Sequence, residues 1–228
     1  MLYKYFTSKF IISLATLFLK LTSCILLLTY CRSSEKEVQE TIQKEQDLLA
    51  KVSKISNQKI RVYADNGKRK IVSIELAPQE NILEFESEVL TGQAKKDNKT
   101  QYSNTKGDIV CEVKYKEEGF KLHTAEGKFL WKVKYKGDKI KIYAQEDNDR
   151  NPFEIKKLEN GNLKVLTKNV ELGQVKYNGS QVIVESSLGN MIIRSYRKAP
   201  LAWGVLTIKD IPSVQRYIIL AELLALGF

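Results

Sequence analysis

The 228-residue chain has little of what most enzymes are built from: one histidine, three cysteines, four prolines and two methionines. A lone histidine, His123, cannot build a His-based triad, a His pair or a mixed His/Cys zinc site. Two cysteines, Cys24 and Cys31, belong to an N-terminal apolar run. If that run is processed at Cys31, only Cys111 remains, and it can form no internal disulfide. In Ile109-Val110-Cys111-Glu112-Val113 it alternates as a small apolar strand residue, and no helper for a nucleophile accompanies it. A phosphate-cradling glycine loop and a nucleophile elbow are both missing. Asp147-Asn148-Asp149-Arg150-Asn151 has the carboxylate spacing that opens a calcium loop, but it lacks the central glycine, and Leu158 stands where the closing glutamate belongs. It reads as a hairpin loop. Glu117-Glu118 and Glu146-Asp147 sit in turn-like text, where carboxylates are merely solvated. The expectation is therefore a protein without cofactor or metal and without enzymatic activity, the alternative being a hydrolytic activity that carries no recognisable motif.

Long apolar runs are confined to the two ends. Lys4 and Lys9 precede an almost unbroken apolar stretch from Phe10 to Tyr30, and Cys31 then opens onto Arg32-Ser33-Ser34-Glu35-Lys36-Glu37. The order basic, apolar, cysteine, polar is that of an export signal. Leu28-Thr29-Tyr30-Cys31 resembles the type II signal box of bacterial lipoproteins, in which the chain is cut before a cysteine that then carries lipid. The family prefers Gly, Ala or Ser where Tyr30 stands. Leu21-Thr22-Ser23-Cys24 fits the box better, but it lies inside the apolar run after Lys20. Cys31 is thus the expected lipidation site and Cys24 the alternative. An uncleaved anchor is the rival, since the run approaches the ~20 residues that cross a bilayer, although Lys20 near its centre would cost roughly 2.5–3.5 kcal/mol. A buried helix is a third reading. The first two place the rest of the chain outside the cytoplasm, held to a membrane of the cell envelope.

The formal charge of +10 and a pI near 9.3 would draw an anchored protein toward anionic lipid or acidic polymers. The plainer reading is solubility, because the lysines are spread along the chain and Lys-rich strands discourage edge pairing. Lys132, Lys134, Lys139 and Lys141, which alternate with apolar or aromatic residues, are the candidate anion-binding positions. Basic residues interleaved with tyrosine could also suit nucleic acid, but export argues against that partner.

Three segments are expected: a signal or anchor over 1–31, a polar helical stalk over 32–57, and a β domain over 58–228 that ends in a helix over 211–227. The stalk places Val38, Ile42, Leu49, Val52 and Ile55 on one stripe. Lys59–Tyr63 and Ile71–Ile74 predict a hairpin turning through Asp65-Asn66-Gly67. Ile82–Leu90 is ambiguous between strand and short helix, and Ala94–Asp108 is polar enough to predict a loop. From Asp108 to Arg197 a hairpin unit of roughly 20 residues recurs. Examples are Phe120-Lys121-Leu122 turning through Ala125-Glu126-Gly127-Lys128 into Phe129–Tyr135, and Val182-Ile183-Val184 turning at Leu188-Gly189-Asn190. Trp203–Ile208 predicts a last strand. A helix then starts near Asp210 and Pro212, an acidic cap with a first-turn proline. Its second half is apolar on every face, which places it in a core; Glu222 in its middle and its short length argue against a membrane span.

A chain of short hairpins closed by one apolar C-terminal helix resembles the tubby C-terminal-like superfamily, which includes LURP-one-related proteins and phospholipid scramblases. The resemblance covers Asp108–Phe228, and it implies an antiparallel barrel of about 12 strands threaded by the terminal helix. Physics agrees: a closed barrel removes edge strands, and one this large needs something apolar to fill it. Tubby-type domains bind phosphoinositides through basic residues, but no motif here matches those positions one to one. The resemblance therefore implies a membrane-associated binding domain and no further detail.

Overall fold

The computed structural model describes residues 58–64, 67–86, 88–96, 98–144, 151–178, 181–187, 189–194 and 201–228. The expected signal or anchor with Cys24 and Cys31, the polar stalk, and residues 145–150 of the Asp147 loop lie outside these residues.

Fourteen strands follow one another: β1 (Gln58–Ala64), β2 (Arg69–Ala77), β3 (Glu80–Phe85), β4 (Glu88–Lys95), β5 (Lys99–Ser103), β6 (Ile109–Lys116), β7 (Gly119–Thr124), β8 (Phe129–Lys136), β9 (Lys139–Ala144), β10 (Phe153–Lys157), β11 (Leu163–Thr167), β12 (Val170–Asn178), β13 (Gln181–Ser186) and β14 (Gly189–Arg194). Each pairs antiparallel with its sequence neighbours, and β14 closes onto β1 through Arg61↔Arg194, Val62↔Ile193 and Tyr63↔Ile192. The fold is a closed antiparallel β-barrel. Strict alternation drives it: Trp131 and Val133 of β8 are buried inside while Lys134 and Lys136 are not. Turn chemistry fixes the hairpins. Between β7 and β8, Gly127 takes φ +84°, which lets its N–H reach the Thr124 carbonyl at 3.0 Å while the Thr124 N–H bonds the Lys128 carbonyl at 2.9 Å.

After β14 the chain re-enters the barrel as a 3-10 helix (Leu201–Thr207), then as α1 (Ser213–Ala225). The 3-10 helix packs on β10–β13 and α1 on β2 and β3. All seven residues of the former are buried, as are Tyr217–Leu224 of the latter, including Leu220, Leu223 and Leu224 at 0% exposure. The helix fills the lumen that a wall of this size would otherwise leave empty. It ends in a Schellman motif. Gly227 at φ +88° bonds the Leu224 carbonyl at 3.1 Å, and the Phe228 N–H bonds that of Leu223 at 3.0 Å. The Phe228 ring lies 4.3 Å from Tyr135, at the end of the barrel where β1 begins and β14 finishes.

Four expectations change. The strand count is fourteen rather than about 12, partly because Ile82–Leu90 splits into β3 and β4 around Glu86 at φ +50°. The segment Ala94–Asp108, expected as a loop, holds the end of β4 and all of β5. Its inward residues are Thr100 and Tyr102, so polarity hid the alternation. Trp203–Ile208 is not a strand: with β14 bonded to β1 the wall has no free edge, and a segment inside the lumen must satisfy its own backbone, which a helix does. Gly204 permits the close approach, since a Cβ there would meet Ile155 at 2.6 Å. Finally, Asp210 does not cap α1. Pro212 is the N-cap rather than a first-turn residue, and no side chain bonds the helix start.

Candidate functional site

Two polar groupings stand out, one on each face of the same strands. On the outside, Lys132 and Lys134 on β8 and Lys139 and Lys141 on β9 are neighbours: Lys134 pairs with Lys141 across the ladder, and Lys132 with Tyr143. The four candidate lysines thus share one patch. Lys132 and Lys134 carry their Nζ atoms 5.4 and 5.7 Å from the centroid of Tyr143, which faces outward yet is only 8% exposed beneath them. Lys139 lies 3.9 Å from Glu154, whose carboxylate also holds Lys156 at 3.2 Å.

Register extends this patch beyond the four. Lys95, Lys99, Lys114, Lys121 and Lys132 occupy directly opposite positions on five consecutive strands, β4 to β8. Lys121 sits over the Phe129 ring at 5.4 Å. Strands β4–β9 carry ten lysines against Glu88 and Glu112, whereas β1–β3 hold four basic and three acidic residues and β10–β14 five and three. Glu112 stands in the adjoining row, opposite Gln101, and reaches the line: it takes Lys99 at 3.3 Å, Lys114 at 3.0 Å and the Gln101 amide at 3.1 Å. Lys114 foremost, with Gln101 and Lys99, draws its carboxyl down to about 2. Opposite Glu112 stands His123, its ring centroid 5.8 Å from that of Phe129 and tilted to it by 53°. Burial first, then Lys114 and Lys121, depress its pKa, and its Nδ1 is buried without a hydrogen-bond partner.

On the inside, α1 carries Glu222 to 0% exposure. Tyr102 donates to its Oε1 at 2.6 Å, the Asn81 amide reaches the same oxygen at 3.4 Å, and the Tyr115 hydroxyl donates to Oε2. Thr100 is 2.9 Å from the Tyr115 hydroxyl and Asn81 3.3 Å from that of Tyr102. Asn81, Gly92 and Tyr102 are in one register row, and the missing side chain at Gly92 lets the Tyr102 ring lie across it: a Cβ there would meet the ring at 2.5 Å. Burial pushes the Glu222 carboxyl above its ordinary value against these donors, and the same burial with the facing carboxylate pushes both phenols up. Hydroxyls rotate, so a protonated Glu222 can donate to a phenol oxygen while Tyr115 turns its proton to Thr100. The cluster is satisfied in either state, and it fixes the rotation and depth of α1 in the lumen.

Among the described residues no three His, Cys, Asp or Glu side chains gather as a metal would require. Cys111 is buried and faces inward, and burial raises its thiol to about 11, far from a reactive thiolate. No helix among the described residues is long and apolar enough to cross a membrane.

The sequence left the inner cluster unnoticed, although Glu222 in an all-apolar helix was a visible signal that partners must exist. No family model matches the chain, and no curated protein matches it. Among solved structures, the X-ray structure of an Arabidopsis thaliana protein is similar at 13% identity, covering 57% of this chain and 87% of that one with a TM-score of 0.34. At that score the likeness carries no weight for fold or function.

Proposed function

We propose that the chain is a membrane-anchored protein of the bacterial cell envelope whose barrel is a non-enzymatic binding domain, with the lysine-rich wall β4–β9 as its contact surface for anionic lipid or acidic polymer. The observation that carries this reading is the segregation of charge: ten lysines against two glutamates on six adjacent strands, beside walls that are nearly balanced. Lysines dispersed for solubility alone have no reason to gather on one side. Anchoring is supported by the N-terminal order of basic, apolar, cysteine and polar residues, with Cys31 as the lipidated residue and Cys24 as the alternative. The tubby-like reading is supported by the closed wall with an apolar C-terminal helix inside it.

Metabolic labelling with a fatty-acid analogue tests the anchor. Label should enter the wild-type chain and be lost in Cys31→Ala; loss only in Cys24→Ala moves the site upstream, and labelling in neither chain leaves an uncleaved anchor. Binding of the detergent-solubilised full chain to immobilised polyanion, measured against salt, tests the surface. Attraction between exposed charges acts within a Debye length of about 8 Å at physiological ionic strength, so binding should fall steeply as salt rises. Absence of any salt-dependent binding defeats the reading.

A further inference from the structure

The lysine wall has a shape as well as a sign. Five lysines stand in one line across five strands, each directly opposite the next: Lys95↔Lys99, Lys99↔Lys114, Lys114↔Lys121 and Lys121↔Lys132. Strand spacing of about 4.8 Å makes the line roughly 20 Å long, following the hydrogen-bonding direction around the barrel. Like charges placed directly opposite on neighbouring strands destabilise a sheet, so an uninterrupted line of them works against the fold unless an anion offsets it. Glu112 neutralises part of the line through Lys99 and Lys114. Among the described residues no carboxylate forms an ion pair with Lys121 or with Lys134 in the adjacent row, while Lys141 stands opposite Glu154.

We propose that this line is the binding track of one linear, flexible polyphosphate-type anion, laid around the wall across the strands. The proposal rests on the reading of the wall as an anion-contact surface and narrows it to one ligand class. Two physical features separate a polymer from a lipid surface. The track is longer than two Debye lengths, so a compact headgroup at one lysine gains almost nothing from the far end, whereas a chain collects every position. The wall is also convex, and the line crosses four of the fourteen inter-strand spacings, more than a quarter of the closed circuit. A flat bilayer touches a convex wall along a narrow strip, while a flexible chain follows the curve. Phe129 beside Lys121 and Tyr143 beside Lys132 border the track with aromatic rings.

The test uses the full chain in nonionic detergent. Long-chain polyphosphate, tripolyphosphate, mixed micelles containing phosphatidylglycerol, and a single-stranded oligonucleotide of matched phosphate number are the probes. Affinity should rise with phosphate chain length, and the slope of log affinity against log salt should drop by about 1 for each track lysine removed. Lys95→Glu/Lys121→Glu should weaken long-chain binding at least about tenfold. Lys68→Glu/Lys209→Glu, which makes the same change in charge at exposed turn positions, should weaken it far less. Lys95→Gln/Lys121→Gln serves if the reversals unfold the chain. His123, the lone histidine, reports locally: an anion neutralising Lys114 and Lys121 should raise its NMR titration midpoint. Equal weakening by the two reversed pairs overturns the track but leaves diffuse anion binding standing. Preference for the anionic micelles assigns the wall to lipid, and preference for the oligonucleotide assigns the rings to base stacking; either overturns the polyphosphate class. Binding to none of the probes overturns both the track and the functional reading beneath it.

Discussion

The two faces of β5 and β6 each hold one glutamate among three partners, and the two carboxylates are driven in opposite directions. Outside, Glu112 meets two ammonium groups and an amide at the edge of water, and it is held ionised down to about 2. Inside, Glu222 at 0% exposure meets two phenols and an amide, all neutral, and its carboxyl is raised. The number of donors is equal, so it does not decide the outcome. Charge on the partners and access to solvent do: neutral donors do not offset the cost of burying a carboxylate. The same alternation, Lys99-Thr100-Gln101-Tyr102, supplies both faces. One face offers binding; the other pins the helix.

The largest break in this comparison removes the inner face altogether. Deleting everything after Ile211 takes away Glu222, strands Asn81, Tyr102 and Tyr115, and empties the lumen. That loss exceeds the usual total stability of about 5–15 kcal/mol, so the truncated chain should show no cooperative melt and should aggregate. A soluble, cooperatively melting product would mean that the wall stands without its filling.

Single substitutions sharpen the contrast. Glu222→Ala strips Tyr102 of its acceptor, leaves Tyr115 only Thr100 and Asn81 only the Tyr102 oxygen, and with the cavity it opens should cost about 3 kcal/mol in denaturant unfolding. Glu222→Gln keeps an acceptor and should cost much less. Glu112→Ala removes an outer, partly exposed group and should cost about 1 kcal/mol or less. Equal costs for the two alanine variants would show that Glu222 is not structurally committed. Gly92→Ala is the intermediate case: its Cβ would press the Tyr102 ring off Glu222, an overpacking worth about 1–3 kcal/mol, and Tyr102→Phe should not add fully to it.

Legibility in the sequence divides along the same faces. The aliphatic lining of β8, β9 and β11 to β14 could be read from alternation, and the apolar half of α1 identified the filling. β5 could not be read, because its inward residues are Thr100 and Tyr102, whose burial makes sense only beside Glu222, 120 positions later than Tyr102. Lys132, Lys134, Lys139 and Lys141 could be read as a face of their own strands. The five-lysine line could not, since it depends on register, and Lys95 and Lys99 fell in text polar enough to pass for a loop. The 3-10 helix was misread because Trp203–Ile208 has strand composition, and only closure of the wall denies it a partner.

The smallest effect is the most diagnostic, because the two glutamates must respond to pH with opposite sign. Glu222 has a raised folded value, so the folded state holds its proton more tightly than the unfolded state does. Its contribution is complete below the ordinary value of 4.5 and is lost as pH climbs through the folded value. Glu112 has a lowered folded value; its contribution is complete above 4.5 and is lost as pH falls toward about 2. The stability of wild type relative to Glu222→Gln should therefore decline above 4.5, while that of wild type relative to Glu112→Gln should decline below it. The two windows meet without overlapping, so unfolding curves of the three chains on either side of that pH separate the faces. A decline of the Glu222 difference on the acidic side would mean that the three donors overcome burial and that Glu222 is folded as the carboxylate.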